Sequence, residues 1–273
     1  MMALQQLKAL EFSASRLTPN SLELPRCNPN LEKIVLALIS FDLDDTLWDA
    51  GPVLWRAEEL QYAWLQEQLP RVTAELGIPE LQARRRDLAR EQPALAHDFT
   101  QLRLHALREL CVRFGYPEGL APLGLAVFVA ARSQVVLFPE VDAVLRALAT
   151  RYRLAALTNG NTDLVRAGVA HYFEFALSPA ETGTSKPDPR MFEALWRRAG
   201  VAAESVVHVG DEPLHDIEGA HRAKLASVWV NRRARAWPTE YRPAHAEITT
   251  LTQLPAAIDR LAAESALKRT VET

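Results

Sequence analysis

Apolar and polar positions follow three different rhythms along the chain. Residues 34–41 form a short apolar run, rich in β-branched and large side chains, that ends in acids. This pattern is typical of a strand buried on both faces of a parallel sheet. From residue 52 to about 137 the apolar positions recur with the period of a helix, and after residue 139 short apolar runs alternate with helical segments. The chain therefore predicts one sheet whose strands are interrupted by a long helical stretch.

The helical stretch predicts several helices and no strand. Prolines bound the first two helices, and Gly115 follows the third, where it suits a C-terminal cap. Such a stretch has the character of an inserted all-helical domain. The predicted helices cover residues 52–69, 79–92, 102–114 and 120–136.

The last part of the chain predicts a doubly wound sheet. Strands that alternate with helices of about ten residues imply βαβ units and a parallel, Rossmann-like α/β core. The strand at 34–41 belongs to the same sheet, so the helices that follow it are an insertion. The predicted helices are 141–150, 163–170, 189–199 and 216–223, and the predicted strands are 154–158, 175–177, 205–209 and 226–230.

These elements divide the chain into four parts. An N-terminal extension, to which no role is assigned, precedes an α/β core. The core is in two pieces because an all-helical cap domain is inserted after its first strand, and a short tail follows it. The extension is predicted at 1–30, the core at 31–50 and 139–262, the cap domain at 51–138 and the tail at 263–273.

Composition narrows the class of protein. The 273 residues suit a core with an elaboration, and 48% apolar with 24% charged residues is typical of a soluble globular protein. A net charge of −3 gives no basic excess, so we expect no nucleic-acid partner. The longest uncharged apolar segment, 119–131, is 13 residues long where a bilayer needs about 20, so we expect no membrane partner. The two cysteines, Cys27 and Cys111, suit a reducing compartment and a cytoplasmic location.

Polar residues follow four of the predicted strands, at the point where each strand ends. In a parallel sheet of this kind the active site lies at the carboxyl ends of the strands, so these side chains are expected to converge. They are Asp42, Asp44, Asp45 and Thr46 after the first strand, Thr158, Asn159 and Gly160 after the second, Lys186 after the third, and Asp211 and Asp216 after the fourth.

This set of residue types favours phosphoryl chemistry. Several ionised carboxylates cannot share a small pocket without a cation, and oxygen ligands with no nearby His or Cys favour a hard ion such as Mg²⁺. A carboxylate is also a competent nucleophile toward phosphorus and forms an aspartyl-phosphate. Thr158, the backbone amides of the Thr158–Gly160 turn and Lys186 can surround the phosphoryl oxygens.

Four segments of the chain, taken together, resemble the four motifs of the haloacid dehalogenase-like hydrolase superfamily. The segments are FDLDDTLWD, LTNGN, SKPDP and GDEPLHD, and the resemblance runs from about residue 34 to residue 261 with a helical cap after the first motif. It implies that Asp42 is the nucleophile and that Asp44 is the general acid–base that protonates the leaving alcohol and then activates water. It further implies that Thr158, Asn159 and Lys186 bind the phosphoryl group.

The same resemblance implies a metal site. Asp42, the backbone carbonyl of Asp44, and Asp211 match the Mg²⁺ ligands of the family. Asp216 and Thr46 match residues that support this site from behind. The helical insert resembles a cap that closes over the substrate and excludes water.

Asp44 favours particular members of this superfamily. A halide leaves without a proton, whereas an alkoxide needs one, so an acid at this position favours a phosphatase or a phosphomutase. The segments FDLDDTLWD, AHDFTQLRLHAL, TNGN and HYFEF resemble most closely the bacterial branch that acts on FMN and on 5-amino-6-(5-phospho-D-ribitylamino)uracil. We expect a small phosphorylated metabolite as substrate, and a monomer or homodimer. A sugar-phosphate or nucleotide phosphatase, a phosphomutase, a haloacid dehalogenase and a catalytically retired binding protein remain as alternatives.

Each candidate residue also has an ordinary structural role to weigh. Asp42 and Asp44 could cap a helix, and a threonine after a strand is commonly a cap. A lone Lys186 would be a solvated surface lysine. His208, inside a predicted strand, is expected to be a hydrogen-bonded core residue and not a metal ligand. The functional interpretation therefore depends on the convergence of these residues at one edge of the sheet.

Overall fold

Six parallel strands form a single sheet in the structure, a computed structural model that describes residues 36–272, with side chains described as far as residue 264. The predicted extension at 1–30 lies outside the described residues. The strands are β1 (Leu38–Phe41), β2 (Arg153–Leu157), β3 (Phe175–Leu177), β4 (Val206–Gly210), β5 (Ala226–Val230) and β6 (Ala246–Ile248). Their order in the sheet is β3-β2-β1-β4-β5-β6, which places β1 at the centre, with Phe41 beside Ala156 of β2 and Val209 of β4.

The described residues contain ten α-helices. Asp49 and Asp98 begin two of the longest, because their carboxylates accept hydrogen bonds from the free backbone N–H groups of the first turn. The helices are α1 (Ala50–Gln68), α2 (Pro70–Thr73), α3 (Ile78–Glu91), α4 (Phe99–Arg113), α5 (Leu120–Arg132), α6 (Val141–Ala149), α7 (Pro179–Thr182), α8 (Pro189–Ala199), α9 (Gly219–Arg222) and α10 (Leu254–Glu272). None of them is long and apolar enough to cross a membrane.

Both faces of the sheet are covered by helices, which explains why its strands are apolar without alternation. Neighbouring side chains of β1 serve opposite faces: Leu38 packs with Phe192 of α8, and Ile39 packs with Leu145 of α6. Helix α10 adds its apolar residues to the same face as α6. The predicted fold class, a doubly wound parallel sheet with helices on both faces, is confirmed.

The helices α1–α5 lie between β1 and α6 and have apolar clusters of their own. The largest cluster joins α1, α4 and α5 through residues such as Leu65, Leu107 and Ala121. Close packing of α1 on α5 needs a glycine at position 124, because a Cβ there would lie 2.8 Å from the Trp64 ring. These helices occupy the segment predicted as a cap domain, whose boundaries stay a prediction.

Two of the predicted helices are wrong in detail. The segment 163–170 forms only a turn, which Asp163 caps and which Gly168 ends because its φ is +77°. The segment predicted as one helix at 216–223 begins earlier, as a π-helical stretch at Pro213–Glu218, and continues into α9. Strand β6 and helix α10 were not predicted from the apolar pattern.

Candidate active site

The polar residues that follow the strands converge on one cleft of about 330 Å³ at the carboxyl edge of the sheet. Of the eight residues predicted for the site, seven line this cleft, and the eighth, Thr46, is buried behind it. The seven are Asp42, Asp44, Thr158, Asn159, Lys186, Asp211 and Asp216. Helices α1, α4 and α5 complete the wall with Leu54, Phe99, Arg103, Phe128 and Arg132.

Lys186 lies between two carboxylates on the floor of the cleft. Its Nζ is 2.6 Å from Oδ1 of Asp42 and 2.6 Å from Oδ1 of Asp216. Burial alone would lower the pKa of this lysine, but the charges of Asp216 and Asp42 outweigh burial and raise its pKa above the ordinary value. The lysine is therefore a fixed positive charge beside Asp42.

Lys186 on the floor of the cleft and Arg235, 3.5 Å from Asp211, do not balance the three acids around them. Carboxylate oxygens of Asp42, Asp211 and Asp216 all lie within 4.8 Å of one another. Burial raises the pKa of Asp42 to about 7 despite Lys186, and burial together with the charges of Asp216 and Asp42 raises the pKa of Asp211 to about 8. A cluster of oxygen ligands with negative charge in excess fits a hard divalent cation such as Mg²⁺.

Asp216 differs from the other two acids because its oxygens are already occupied. Its Oδ1 also lies 3.1 Å from Nε2 of His208, and its Oδ2 accepts the backbone N–H of Glu212 at 2.9 Å. Although burial opposes it, Lys186 and His208 hold the pKa of Asp216 well below its usual range. Gly210 gives it room, since a Cβ at that position would lie 2.3 Å from the Asp216 carboxyl carbon.

His208 is fully buried within β4, where it supports Asp216. Its Nδ1 lies 2.8 Å from Oγ of Ser40 on the adjacent strand β1. This pair of contacts fixes the imidazole plane, so that Nε2 faces Asp216. His208 is a hydrogen-bonded core histidine, as the sequence predicts. It contacts the acid cluster through Asp216.

Asp42 and Asp44 flank the buried residue Leu43, yet their carboxylates face different neighbours. Oδ2 of Asp44 accepts a hydrogen bond of 2.6 Å from Nη2 of Arg132, and Oδ1 accepts one of 2.9 Å from Nε1 of Trp48. Thr46, by contrast, donates from Oγ1 to Oδ2 of Asp42 over 3.4 Å. The loop after β1 thus presents two acids to the cleft in two separate environments.

Thr158 and Asn159 follow β2 and have different tasks. The hydroxyl of Thr158 accepts the backbone N–H of Gly160 at 2.9 Å, which fixes the turn beside the cleft. The side chain of Asn159 is engaged with Lys186: Oδ1 accepts the Lys186 N–H at 2.8 Å, and Nδ2 donates to the Lys186 carbonyl at 2.9 Å. Its predicted phosphate-binding role would therefore have to be carried by the backbone N–H.

Several residues of the cleft wall were missed by the sequence motifs. Arg132 is the last residue of α5 and belongs to none of the four motifs. Arg103, within α4, is also buried, with Nη1 and Nη2 hydrogen-bonded to Glu58 and Gln61 and its guanidinium over the Phe128 ring. Since each of these contacts joins positions far apart in the chain, no local pattern marks them.

Comparisons with known proteins agree with this fold. The sequence matches the family model of haloacid dehalogenase-like hydrolases over residues 36–224. It is 29% identical to the 5-amino-6-(5-phospho-D-ribitylamino)uracil phosphatase of Escherichia coli over 82% of this chain and 96% of that protein. It is also 41% identical to the phosphoserine phosphatase of Thermus thermophilus, over 47% of this chain and 54% of that protein. A crystal structure of a 2-haloacid dehalogenase from Pseudomonas syringae superposes with a TM-score of 0.78 and 40% identity, covering 83% of this chain and all of that one.

Proposed function

The chain belongs to the haloacid dehalogenase-like hydrolase family, and on that premise we propose that it is a Mg²⁺-dependent phosphatase of a small phosphomonoester. The observation that carries this proposal is the pair Asp42 and Asp44, which open onto one cleft from either side of Leu43. One acid is buried beside a lysine, as suits a nucleophile toward phosphorus. The other is held by donors at the opposite side of the loop, as suits an acid that serves the leaving group.

In the proposed first step, a carboxylate oxygen of Asp42 attacks phosphorus while the bond from phosphorus to the ester oxygen breaks. Asp44, an ionised carboxylate in its pair with Arg132, takes up a proton from solvent when the ester binds and gives that proton to the departing alkoxide. The charge that spreads over the phosphoryl oxygens faces the Lys186 ammonium and the turn at Thr158, which are already in place. The products of this step are the alcohol and a phosphoryl group on Asp42.

In the second step Asp44 takes a proton from water, whose oxygen attacks the same phosphorus. The bond between phosphorus and Asp42 breaks, phosphate leaves and Asp42 is restored. Asp44 thereby serves as acid and then as base, so its orientation matters in both steps.

The acid cluster would hold the metal through Asp42 and Asp211, with the backbone carbonyl of Asp44 as the third predicted ligand. Asp216 is the least suited of the cluster to bind directly, because Lys186, His208 and the Glu212 N–H already occupy its oxygens. Its role would be to position Lys186. When bound, Mg²⁺ would supply the positive charge that the cluster lacks and that phosphoryl oxygens require.

For the substrate we propose FMN or 5-amino-6-(5-phospho-D-ribitylamino)uracil. The relative from Escherichia coli that acts on the latter compound, by its name, aligns over most of both chains, and this supports the proposal. The wall of the cleft adds support, since Leu54 and Phe99 expose apolar surface there, with exposed fractions of 38% and 57%. A sugar phosphate or a nucleotide is the alternative.

A free metabolite as partner, a cytoplasmic location and a monomer or homodimer remain predictions.

A haloacid dehalogenase is the second candidate, because a solved structure 40% identical to this chain carries that description. Halide release needs no proton donor, so an acid at position 44 would have no task in that reaction. The phosphatase proposal gives both acids a task. A phosphomutase differs from both in that it would move the phosphoryl group to a second hydroxyl and release none.

The experiment that tests the proposal is a release assay on one preparation, with and without Mg²⁺. The panel contains p-nitrophenyl phosphate, FMN, the ribitylaminouracil phosphate, sugar phosphates, nucleotides and 2-chloropropionate. We expect phosphate from at least one ester, loss of that activity in EDTA, and no chloride. Chloride release without phosphate release would reject the proposal, and turnover of sugar phosphates alone would reject the proposed substrate.

A further inference from the structure

Arg132 is the last residue of α5, yet its side chain is only 6% exposed. It leaves the helix end and enters the space between the loops that follow β1 and β2. Nη2 donates to Oδ2 of Asp44 at 2.6 Å, and Nη1 donates to Oδ1 of Asp44 at 3.4 Å and to the hydroxyl of Thr162. The guanidinium therefore joins the helical insert to the candidate acid–base and to the loop after β2.

This placement is unusual for an arginine at a helix end, where the charged head normally reaches water. Burying a guanidinium costs free energy that only good partners offset. The Asp44 carboxylate and Thr162 are those partners here. Arg103, which also lines the cleft, pairs with Glu58, an acid that it shares with Arg85, whereas the acid that Arg132 contacts is Asp44.

The Arg132–Asp44 pair lies directly against Gly160, in the turn after β2. A Cβ at position 160 would lie 2.2 Å from Nη2 of Arg132 and 3.0 Å from Oδ2 of Asp44. The turn thus has to carry a glycine for the pair to form. Three separate segments of the chain fit together around this one ion pair.

Trp48 holds the other oxygen of Asp44. The indole is fully buried, and its Nε1 is 2.9 Å from Oδ1. Trp48 belongs to the same loop as Asp44, whereas Arg132 belongs to the insert. One donor that orients the Asp44 carboxylate, Trp48, therefore comes from the core, and the other, Arg132, comes from the insert.

We propose that Arg132 is a positioning residue, which sets the orientation of the Asp44 carboxyl toward the leaving group whenever the insert is seated on the core. The proposal rests on the phosphatase function proposed above. Proton donation by Asp44 therefore depends on the position of α5, because the Arg132 guanidinium can reach Asp44 only when α5 lies against the loop after β1. A competing role is direct binding of an anionic group of the substrate by Arg132, which also lines the cleft.

The test uses phosphate esters whose leaving groups differ in acidity: p-nitrophenyl phosphate, which needs little help from a proton donor, and phenyl phosphate, which needs much more. Loss of a general acid costs about 100-fold or more where the proton is needed. We expect Arg132→Met to lower kcat/KM by about 100-fold for phenyl phosphate and by about tenfold or less for p-nitrophenyl phosphate. Arg132→Lys should recover part of the difference, because it restores the charge but not the two-pronged contact.

Arg56 provides a matched control. It also bonds to the end of α5, at the carbonyls of Ala131 and Gln134, but among the described residues no hydrogen bond links it to Asp44. Arg56→Met should therefore change kcat/KM for the two esters by the same factor. If Arg132→Met gives such an equal loss too, Arg132 has only a structural role and the inference is wrong.

A double-mutant cycle gives a second measurement that does not depend on the size of the first. In an Asp44→Asn background, Arg132→Met should have almost no further effect on the kcat/KM ratio of the two esters. An equally large effect of Arg132→Met on this ratio in the Asp44→Asn background would overturn the inference. So would a raised KM confined to esters that carry a carboxylate, because it would mean that Arg132 binds the substrate. A wild-type protein that releases phosphate from no ester of the panel described above would instead reject the proposed function, so the two failures are distinct.

Discussion

The cleft has two sides, and the loop after β1 contributes an acid to each. The acidic side comprises Asp42, Lys186, Asp211 and Asp216, all from the α/β core. The arginine side comprises Asp44, Trp48, Arg132 and Thr162, and it receives its cation from the helical insert. On the acidic side, three carboxylates outnumber the Lys186 ammonium and the Arg235 guanidinium, which lies 3.5 Å from Asp211. On the arginine side, one carboxylate has one guanidinium.

This difference supports the separate roles that we propose for two aspartates two positions apart. Asp42 is buried among other acids, and its pKa is raised to about 7, so it depends on a cation to act as a nucleophile. Asp44 is half-buried and held by hydrogen-bond donors on both oxygens. The environment, more than the residue type, assigns nucleophile and acid–base in this account.

Replacing Asp42 should have the largest effect, because it removes the atom that forms the covalent bond. Asp42→Asn should lower phosphate release from p-nitrophenyl phosphate by roughly 10⁴-fold or more, as for other covalent catalysts that lose their nucleophile. Asp87→Asn, which removes only an ion pair with Arg90 on α3, is the control and should leave the rate unchanged. Activity of Asp42→Asn close to that of the wild type would remove the acidic side from the mechanism.

Replacing Asp44 should cost less, and the cost should depend on the ester. Asp44→Asn keeps the shape but removes the proton, so kcat/KM should fall by about 10²–10⁴-fold for phenyl phosphate and less for p-nitrophenyl phosphate. The measurement is the ratio of the two losses. Equal losses would mean that the two sides of the cleft do not divide the chemistry as described.

Lys186→Met tests the acidic side through stability. The change leaves Asp42 and Asp216 buried without their shared cation, so we expect the free energy of unfolding in urea to fall by about 3 kcal/mol or more at pH 8. Arg146→Met is the matched control, since it removes an exposed ion pair with Asp142 that is worth at most about 1 kcal/mol. A loss no larger than that of the control would contradict the charge balance described for the cleft.

The last prediction concerns the pH dependence of the metal-free protein. Folding raises the pKa of Asp42 to about 7 and of Asp211 to about 8 from 3.8, so these groups ionise first in the unfolded chain. Their contribution to stability is complete below about pH 4 and is lost as the pH rises to about 8. In EDTA, melting temperatures should fall over this window, and Mg²⁺ should raise them more at pH 8 than at pH 5. Asp211→Asn should flatten the dependence; an unchanged slope in that variant would exclude Asp211 as its source.

Much of the acidic side could be predicted from the sequence, and the reason is geometric. Each of its residues directly follows an apolar strand or lies in a short motif just beyond one, and parallel strands bring their carboxyl ends together. That rule places Asp42, Lys186 and Asp211 in one cleft without knowledge of any contact. The family resemblance then implies a role for each residue.

The arginine side could be predicted only in part. Asp44 is visible in the first motif, but Arg132 lies 88 positions away at a helix end that looks ordinary. Its role depends on how the insert is seated and on the space left by Gly160. The engagement of Asn159 with the Lys186 backbone, and the end of the turn at Gly168, likewise depend on packing and backbone angles that the apolar pattern does not contain.

The most direct measurement of the central claim is to trap the covalent intermediate. Asp44→Asn protein is mixed with Mg²⁺ and p-nitrophenyl phosphate, whose leaving group departs without a proton donor, and the reaction is stopped in acid. Because the amide that replaces the Asp44 carboxylate cannot activate water, the phosphoryl group should accumulate, and mass spectrometry of the peptide spanning residues 36–48 should locate it on Asp42. A burst of nitrophenol with no phosphoryl group on Asp42, or a phosphoryl group on another residue, would contradict the account.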